Sequence, residues 1–312
     1  MRRIGIIMDP IDRISIHKDS TFSMMLEAQR RGWQLWYMQQ HDIRLEQGRV
    51  LARASVASVR DDPNDWYRLE APATIPLGEL DVVLMRKDPP VDANYIYCTQ
   101  LLDLISQQGC RVVNRPGALR DINEKLAVAH FPDLAPATLV GYSASDFKTF
   151  LDKHRDIILK PLDGMGGKSI FRVRVNDPNV NVILETLTAD GSRPAMAQRY
   201  IPEISDGDKR ILLIDGKPVP YALARIPAPG ETRGNIAAGS TTRGQPLSQS
   251  DFRIAEAVGP FLRDNGVLFA GIDVIGDQLT EINVTSPTCI RELDRQFELN
   301  ISAMLFDRME AS

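Results

Sequence analysis

The sequence has few of the residues that form disulfides or bind soft metals. Three cysteines and four histidines are scattered through its 312 residues, and no Cys-x-x-Cys pair occurs. An odd number of widely spaced cysteines disfavours a disulfide framework, and the lack of grouped Cys and His ligands disfavours a zinc site. We therefore expect a protein of the reducing cytoplasm.

Long apolar runs and an excess of positive charge are also missing. No stretch approaches the roughly 20 apolar residues of a membrane span, and the apolar run after Arg2 and Arg3 is too short for a signal peptide. The net charge of −4 and the pI near 5.7 disfavour a nucleic-acid or anionic-membrane partner. The composition, with 43% hydrophobic and 25% charged residues, is that of a globular protein, and 312 residues indicate two or three domains.

Glycines cluster beside a lysine in a pattern that suits phosphate binding. An apolar run from Ile157 to Leu159 leads into Lys160, and three glycines follow: Gly164, Gly166 and Gly167. Glycine tolerates positive φ and lets backbone N–H groups approach an anion. The segment is not a P-loop, because Leu162 stands where that motif needs glycine, and the dinucleotide fingerprint fails at Ser169. A strand–glycine loop–strand hairpin remains, either a flap over a nucleotide or an ordinary hairpin.

Strands and helices alternate in the first third of the chain. The strand-like segment Arg3 to Met8 precedes a helix with Ser20 as N-cap, and a second helix is predicted from Asp92 to Gln108. This alternation predicts a mainly parallel sheet with helices on its faces, in which ligands bind beyond the carboxyl ends of the strands. Four polar residues fall at or just after such ends: Lys18, Arg86, Lys87 and Asn114. The segment Arg86-Lys-Asp-Pro-Pro is therefore a candidate site for a substrate carboxylate, or else a solvated charged loop.

A strong hairpin signal and a long loop follow in the second half. Asp215-Gly216 between two apolar runs predicts a tight turn, which would bring Asp208 and Arg210 close to Arg225. Residues 227–245 are rich in Gly, Pro, Ser and Thr and contain Arg233. A loop of that length is usually functional or disordered, and we expect an active-site lid.

The last predicted strand pair carries oxygen ligands. Glu281 and Asn283 share one face of the second strand, and Asp273 on the first strand lies across from Glu281 if the turn has the right length. Two carboxylates and an amide oxygen suit Mg²⁺ bound to nucleotide phosphates better than zinc. The alternative is that they are outward polar residues on a half-exposed strand. One closing helix is predicted from Asp294 to Met309.

The order of these features resembles the ATP-grasp superfamily, in which two α+β units clamp ATP. Five segments also resemble the bacterial glutathione synthetase family: Met85-Arg-Lys-Asp-Pro-Pro, Ile158-Leu-Lys-Pro-Leu-Asp-Gly-Met-Gly-Gly, Gly207-Asp-Lys-Arg, Gly230-Glu-Thr-Arg-Gly-Asn and Leu279-Thr-Glu-Ile-Asn-Val-Thr-Ser-Pro-Thr-Cys-Ile-Arg-Glu. The chain departs from the family at Lys168 and at residues 239–245.

This resemblance implies an ATP-grasp fold in three parts. Residues 1–122 would form an N-terminal substrate-binding α/β domain, residues 123–200 a small lid subdomain, and residues 201–312 a C-terminal subdomain with the metal site and the mobile loop 227–245. It also implies a homotetramer that joins γ-glutamylcysteine to glycine through an acyl phosphate, with ATP hydrolysed to ADP and phosphate.

The resemblance assigns roles to individual residues. ATP would be bound by Lys125, Lys160, Gly164, Met165, Gly166, Gly167, Gln198, Tyr200, Ile201 and Asp208, with Gln198 and Tyr200 offering backbone groups to the purine. Two Mg²⁺ ions, replaceable by Mn²⁺, would be bound by Asp273, Glu281 and Asn283. The catalytic arginines would be Arg210, Arg225 and Arg233, and the peptide substrates would contact Lys18, Arg86, Asn114, Ser286 and Thr288. Cys289 is expected to be a pocket or core residue, because no base accompanies it.

Three other functions stay open at the level of sequence. Another carboxylate–amine ligase of the superfamily would keep the ATP and metal residues and differ in its substrate contacts. An ATP-binding regulatory module would not need Arg210 or Arg233. A small-molecule kinase would leave phosphate on its acceptor instead of releasing it.

Overall fold

The computed structural model describes residues 1–164, 166–228 and 241–311 of the chain. Three β-sheets follow one another along this sequence. Among the described helices, none is long and apolar enough to cross a membrane.

The first sheet has eight strands and is parallel at its centre. Its strands are β1 (Arg3–Ile7), β2 (Gln34–Met38), β3 (Ile43–Glu46), β4 (Arg49–Val59), β5 (Tyr67–Leu69), β6 (Ala73–Pro76), β7 (Val82–Met85) and β8 (Arg111–Val113), and its helices are α1 (Ser20–Arg30), α2 (Ala93–Gln107) and α3 (Pro116–Asp121). β2, β1, β7 and β8 lie side by side in parallel, as the alternation of strands and helices predicts. β4 runs antiparallel to β2 and also pairs with β3, β5 and β6. These last three short strands were not predicted.

The N-cap of α1 is Asp19 and not Ser20, so that prediction was wrong. The Asp19 carboxylate accepts a hydrogen bond from the Phe22 N–H at 2.6 Å. Ser20 lies in the first turn, and its hydroxyl accepts from the Ile290 N–H at 3.2 Å. Aspartate and serine are both good N-cap residues, but the Ser20 hydroxyl is used by its contact with the distant Ile290 N–H.

The second and third sheets are antiparallel. The second contains β9 (Thr138–Gly141), β10 (Asp156–Pro161), β11 (Phe171–Arg174) and β12 (Ala195–Arg199), with helices α4 (Ala144–His154) and α5 (Val180–Thr188). The third contains β13 (Asp208–Ile214), β14 (Lys217–Ile226), β15 (Thr241–Pro246), β16 (Phe269–Ile275) and β17 (Gln278–Asn283), with helices α6 (Gln249–Asp264), α7 (Ile290–Phe297) and α8 (Ile301–Ala311). Single 3₁₀ turns include Leu126–His130 and Pro202–Asp206.

The predicted hairpin at Asp215-Gly216 is confirmed. β13 and β14 pair antiparallel on either side of it, and the two turn residues have φ values of 51° and 68°. Positive φ at both central positions is typical of the turn that matches the twist of a two-stranded ribbon, and it is the reason for Asp-Gly.

Part of the predicted long loop forms a strand. We expected residues 227–245 to be loop, but β15 pairs antiparallel with β14 and satisfies backbone groups at that edge of the third sheet. Residues 229–240, which include Arg233, lie outside the described part of the chain, so the lid stays a prediction.

The predicted closing helix is two helices, α7 and α8. Glu298 has a left-handed conformation with φ of 52°, which ends α7. The Asp294 carboxylate accepts a hydrogen bond from the Ile301 N–H at 2.9 Å, which supplies a partner at the start of α8. Glutamate favours helices in general, so Glu298 does not signal the break, but Asn300 is a favoured N-cap type and its side chain accepts from the Ala303 N–H at 2.9 Å.

Helix α8 completes the core of the N-terminal domain. One buried cluster contains Phe22 and Trp33 from the N-terminal domain together with Leu305 and Phe306 of α8. The rings of Trp33 and Phe306 lie 5.2 Å apart. Residues from the two ends of the described chain therefore share one apolar core.

A buried carboxylate strengthens the contact between α1 and α8. The Glu27 side chain is 3% exposed and accepts hydrogen bonds from Arg30 at 2.7 Å and Arg31 at 2.6 Å. Arg31 also donates to Asp307 and Glu310 of α8 at 2.6 and 2.7 Å. Burial opposes ionisation of Glu27, but the hydrogen bonds from the two arginines outweigh it and lower the pKa to about 2.

Replacing Glu27 with glutamine is expected to lower the free energy of unfolding by about 2 kcal/mol at pH 7, because charge-assisted hydrogen bonds are lost at a buried position. The folded pKa lies below the ordinary value of 4.5, so the carboxylate stabilises the fold above that value and stops doing so as the pH falls towards 2. Urea unfolding midpoints of variant and parent should therefore converge as the pH falls from about 5 to about 2.

Glu310→Gln is the matched control, because its side chain is 36% exposed. We expect it to cost less than about 1 kcal/mol. Equal losses in the two variants would contradict a special role for Glu27.

Candidate active site

A cavity of about 310 Å³ is lined by residues from all three parts of the chain. Most of the predicted site residues line it: Lys125, Lys160, Gly164, Gly166, Gly167, Gln198, Tyr200, Ile201, Asp208, Arg210, Arg225, Asp273, Glu281, Asn283, Ser286 and Thr288. Met165 and Arg233 were also predicted and lie outside the described residues.

Part of the cavity wall is apolar and suits a flat ring. Five isoleucines of the described chain contribute to it: Ile158, Ile170, Ile201, Ile204 and Ile275. Ile158 comes from β10, and Ile275 ends β16, so the second and third sheets each provide part of this wall. A planar base placed between them would contact both sheets.

The backbone at the end of β12 differs from the prediction. The Tyr200 N–H donates to the Asp156 carbonyl at 3.0 Å, and Gln198 lies inside the sheet between Ile158 and Thr138. The Tyr200 N–H and the backbone groups of Gln198 already form hydrogen bonds within the sheet, so they are not available to bind a purine. The Ile201 N–H donates no hydrogen bond within the described residues, which makes it the better candidate.

Arg172, which the sequence analysis did not single out, fixes the Tyr200 ring. Its guanidinium lies 3.5 Å from the ring centroid and binds the Asp156 carboxylate through Nε at 3.0 Å and Nη2 at 2.6 Å. A cation over an aromatic face is attracted by the ring's quadrupole. The side chain of Tyr200 is thus held against the second sheet at the cavity wall.

Two buried lysines lie beside the glycine loop. Lys125 and Lys160 are 2% and 5% exposed, and the Glu281 Oε1 atom lies 3.9 and 3.6 Å from their Nζ atoms. Lys125 also donates to the Gly164 carbonyl at 2.7 Å. Burial lowers the pKa of Lys160 despite the nearby Glu281, whereas for Lys125 the charges of Glu281 and Glu124 outweigh burial and raise the pKa.

Glu124 was missed by the sequence analysis although it adjoins Lys125. Its carboxylate lines the cavity and accepts a hydrogen bond from the Lys125 ammonium. Burial raises the pKa of Glu124, and the charge of Glu281 adds to this effect. The Glu124 carbonyl also accepts from the Ile282 N–H at 2.8 Å, which ties this segment to β17.

Two arginines and two aspartates form a buried charge network. The hairpin predicted that Asp208, Arg210 and Arg225 lie close together, but not that Asp273 joins them. Arg210 binds the Asp273 carboxylate through Nε at 2.5 Å and Nη2 at 2.9 Å. Arg225 lies 2.9 Å from the same carboxylate and also binds Asp208. Strand register explains the grouping, because Arg210 faces Asp273 and Asp208 faces Arg225. Burial opposes ionisation of Asp273, but the two arginines outweigh it and hold its pKa well below the usual range.

The predicted metal ligands are neighbours on β16 and β17. Asp273 pairs with Glu281 as predicted, but a register shift between Asp273 and Val274, and not the turn length, produces this pairing. The Asn283 side chain approaches Asp273 at 3.4 Å. This oxygen donor set suits a hard divalent cation whose remaining ligands come from phosphates or water. The protein alone does not complete such a site, since the described residues contain no cluster of three or more His, Cys, Asp or Glu side chains placed for a metal.

Asp208 presents an unused acceptor at the cavity wall. Burial raises its pKa to about 6; Arg225 opposes this shift and Asp273 adds to it. Its Oδ1 atom is buried without a hydrogen-bond partner among the described residues. A buried acceptor without a partner is costly, so a hydroxyl or amine donor from a ligand would stabilise it.

A polar turn after β17 forms another wall. Thr285, Ser286, Thr288 and Cys289 line the cavity there. Cys289 is fully buried and has φ of 90° as the residue before α7. Burial raises the pKa of its thiol despite the charges of Arg210 and Arg225, which agrees with a pocket residue and not a nucleophile.

Arg86 and Lys18 do not line this cavity. Arg86 is 6% exposed and donates to the Thr21 hydroxyl at 3.1 Å and to the Pro287 carbonyl at 2.9 Å. The guanidinium therefore supports the polar turn from behind. Lys18 is exposed, and its charge acts on Glu292. From the N-terminal domain, the described lining residues are Asp88 and Pro89.

The structure gives Asn114 a structural role, and its prediction as a substrate ligand is not supported. Its amide nitrogen donates to the carbonyls of Phe269 and Val284, both at 2.7 Å. Its amide oxygen accepts from the N–H groups of Leu268 and Phe269 at 2.8 and 2.9 Å. The side chain thus uses its full hydrogen-bonding capacity to join the end of β8 to the third sheet.

Replacing Asn114 with alanine is expected to lower the free energy of unfolding by about 3 kcal/mol, because four buried backbone groups lose their partner. The KM for each substrate should change little in the folded variant. Unfolding midpoints and initial rates check both points, with the exposed Asn64→Ala as control. A raised KM at unchanged stability would restore Asn114 as a substrate ligand.

Comparison with known proteins gives family matches over most of the chain. Residues 2–120 match the family described as "Prokaryotic glutathione synthetase, N-terminal domain", and residues 124–298 match "Prokaryotic glutathione synthetase, ATP-grasp domain".

Individual relatives match over nearly the full length. The chain is 57% identical over 310 residues to the glutathione synthetase of Vibrio parahaemolyticus, which covers 99% of this chain and 98% of the relative. It is 54% identical over 311 residues to that of Escherichia coli, which covers 100% and 98%. The solved ATP-grasp ligase PsnB in complex with a minimal precursor matches with a TM-score of 0.65 at 17% identity over 100% of this chain and 99% of that chain, which bears on the fold alone.

Proposed function

Because this chain belongs to the prokaryotic glutathione synthetase family of ATP-dependent ligases, we propose that its cavity joins γ-glutamylcysteine to glycine through an acyl phosphate. An oxygen of the cysteine carboxylate attacks the γ-phosphorus of ATP, and ADP leaves. The glycine nitrogen then attacks the activated carbonyl carbon, loses a proton, and phosphate leaves with the former carboxylate oxygen. Glutathione, ADP and phosphate are the products.

The observation that supports this proposal most is the pair of buried lysines beside the glycine loop. Lys125 and Lys160 bind the phosphates, and the N–H groups of Gly166 and Gly167 lie in a loop with φ values of 66° and 75°, which glycine adopts without strain. Glu124 and Glu281 balance these lysines before the nucleotide binds. The isoleucine-lined wall receives the purine, the Ile201 N–H contacts it, and Asp208 Oδ1 accepts from a ribose hydroxyl.

Asp273, Glu281 and Asn283 hold divalent cations in this proposal, two Mg²⁺ ions that Mn²⁺ can replace. Bound there, the cations would neutralise charge that develops on the phosphate oxygens. Among the described residues, Asp273 Oδ1 accepts from Arg210 Nε alone, while Oδ2 is contacted by Arg210, Arg225 and Asn283. Oδ1 therefore keeps one acceptor position for a cation beside the arginine.

Arg210 stabilises the transferring phosphoryl group and the tetrahedral intermediate, and Arg225 supports it. Asp273 holds both guanidinium groups, so little reorganisation is needed when negative charge develops. Arg233 would join them if the lid closes. Ser286 and Thr288 bind the peptide donor from the polar turn.

We also propose that the protein forms a homotetramer and works in the cytoplasm. All three cysteines are buried and unpaired, which is consistent with a reducing compartment. Sedimentation of the purified protein measures the assembly, and a monomer at micromolar concentration would refute the tetramer.

The test is phosphate release from ATP and Mg²⁺ with γ-glutamylcysteine and glycine omitted in turn. We expect release only with both, together with a tripeptide detected by mass. Release that is independent of both compounds would refute this substrate assignment, and release that needs a different acid or amine would favour another carboxylate–amine ligase. Transfer of phosphate to an acceptor without release would indicate a kinase.

A further inference from the structure

One carboxylate at the cavity wall differs from all the others. Among the described residues, five acidic side chains line the cavity: Asp88, Glu124, Asp208, Asp273 and Glu281. The last four face lysine or arginine side chains in hydrogen bonds or ion pairs. The Asp88 side chain is exposed and takes part in no hydrogen bond or ion pair among the described residues.

The backbone that carries Asp88 is nevertheless fixed. Its N–H donates to the Asp9 carboxylate at 3.0 Å, and its carbonyl accepts from the Lys87 ammonium at 2.7 Å. Lys87 itself pairs with Asp9 at 2.9 Å. The neighbouring cation is thus bound to Asp9, and the Asp88 carboxylate stays available to the cavity.

The same segment is attached to the polar turn that receives the peptide donor. Arg86 donates to the Pro287 carbonyl at 2.9 Å, and the Ser286 hydroxyl donates to the Arg86 carbonyl at 3.3 Å. Asp88 is two residues further along the chain and lines the same cavity as Ser286 and Thr288. A molecule that contacts this turn is therefore close to Asp88.

One buried cation feels the charge of Asp88 without binding its carboxylate. Burial lowers the pKa of Arg86, and the charge of Asp88 opposes this shift. The Arg86 guanidinium nevertheless donates to the Thr21 hydroxyl and the Pro287 carbonyl, and no hydrogen bond or ion pair joins it to Asp88 among the described residues. The Asp88 carboxylate therefore keeps its acceptor positions for a ligand.

The chemistry of the proposed donor substrate supplies such a group. γ-Glutamylcysteine carries one ammonium group, at the glutamyl end and remote from the cysteine carboxylate that reacts. An ammonium group needs an acceptor that is not already occupied by a protein cation. Asp88 is the lining carboxylate that meets this requirement within the described chain.

We propose that Asp88 binds the α-ammonium group of the γ-glutamyl end and selects donors that carry it. This inference rests on the proposed function. It makes Asp88 a specificity-determining residue that acts away from the reacting atoms. Its contribution should therefore be felt equally in the ground state and the transition state, and appear in KM with little change in kcat.

The experiment compares γ-glutamylcysteine with glutaryl-cysteine, in which hydrogen replaces the α-amino group. Parent, Asp88→Asn, Asp88→Glu and the control Asp12→Asn are assayed with both donors. In the parent, we expect kcat/KM to be roughly 10- to 100-fold higher for γ-glutamylcysteine, the factor that one charge-assisted hydrogen bond provides. In Asp88→Asn, this preference should nearly disappear through a higher KM for γ-glutamylcysteine.

The controls separate this role from general damage. Asp12 is an exposed carboxylate outside the cavity, and its variant should keep the parent preference, while Asp88→Glu should keep part of it. The KM values for ATP and glycine should not change in Asp88→Asn. An unchanged preference in Asp88→Asn, or a loss confined to the KM for glycine, would overturn the inference. A parent that uses neither donor would instead refute the proposed function.

Discussion

Arg210→Ala is expected to lower kcat by roughly 10³-fold or more, the scale measured for arginines that stabilise phosphoryl transfer. Arg210 is 6% exposed, lines the cavity and is held by two hydrogen bonds to Asp273. A guanidinium fixed in this way meets developing negative charge without having to reorient. Alanine removes that charge and leaves nothing in its place.

Nucleotide binding should survive this substitution within a few-fold. The buried Asp273 carboxylate still pairs with Arg225 at 2.9 Å in this variant. Lys125 and Lys160, which bind the phosphates in our proposal, are unchanged. Calorimetric titration with ADP and Mg²⁺, combined with the phosphate-release assay, separates binding from turnover. Arg210→Lys should be intermediate, because an ammonium keeps the charge but not the planar fork.

Arg174→Ala is the matched control, because the Arg174 side chain is 66% exposed and Arg174 is the last residue of β11. It should leave kcat and the ADP affinity unchanged. Parent-level turnover in Arg210→Ala would remove Arg210 from the chemistry, and a parallel loss of ADP affinity would make it a binding residue.

Glu281→Ala is expected to weaken ATP binding in the presence of Mg²⁺ by roughly 10- to 100-fold. Glu281 provides one of the few carboxylates of the proposed metal site, and such ligands and their neighbours typically contribute on this scale. The same carboxylate lies 3.6 Å from Lys160 and 3.9 Å from Lys125. It therefore competes with phosphate for these lysines when no cation is present.

This double role predicts opposite signs in two titrations. With Mg²⁺, the variant should bind ATP more weakly than the parent. With a chelator instead of Mg²⁺, it should bind ATP equally well or more tightly, because both lysines lose a competing anion. Glu256→Ala, an exposed position on α6, is the control and should show neither effect. Equal affinity of variant and parent with Mg²⁺ would remove Glu281 from the metal site.

Local patterns predicted part of the site that lies on neighbouring strands. Strand alternation placed Glu281 and Asn283 on one face, and Asp215-Gly216 predicted the hairpin that brings Asp208 near Arg225. The exact registers do not follow from the turns, because one register shift lies between Asp273 and Val274 and another between Ile211 and Leu213. A β-bulge of this kind inserts an extra residue in one strand, and short-range patterns do not predict it.

Contacts between distant segments could not be predicted in this way. Asn114 has a polar side chain at the end of a strand, as a ligand-binding residue would. Its hydrogen-bond partners, however, are backbone groups more than 150 residues away in sequence. Glu124 looked like an ordinary charged neighbour of Lys125, because only folding brings it to Glu281. The Asp88 carboxylate is free because Lys87 pairs with Asp9 instead. The sequence does not reveal that Lys87 pairs with the distant Asp9 and not with its neighbour Asp88.

The position of α8 has a consequence for synthesis of the chain. Trp33 and Phe22 emerge from the ribosome long before Phe306 and Leu305, with which they share a core. Domains generally fold in the order in which they are made, but here the apolar surface of α1 that packs on α8 stays uncovered until translation has passed residue 306. The nascent N-terminal domain should therefore be a client for chaperones, and a ribosome stalled before α8 should display an apolar surface.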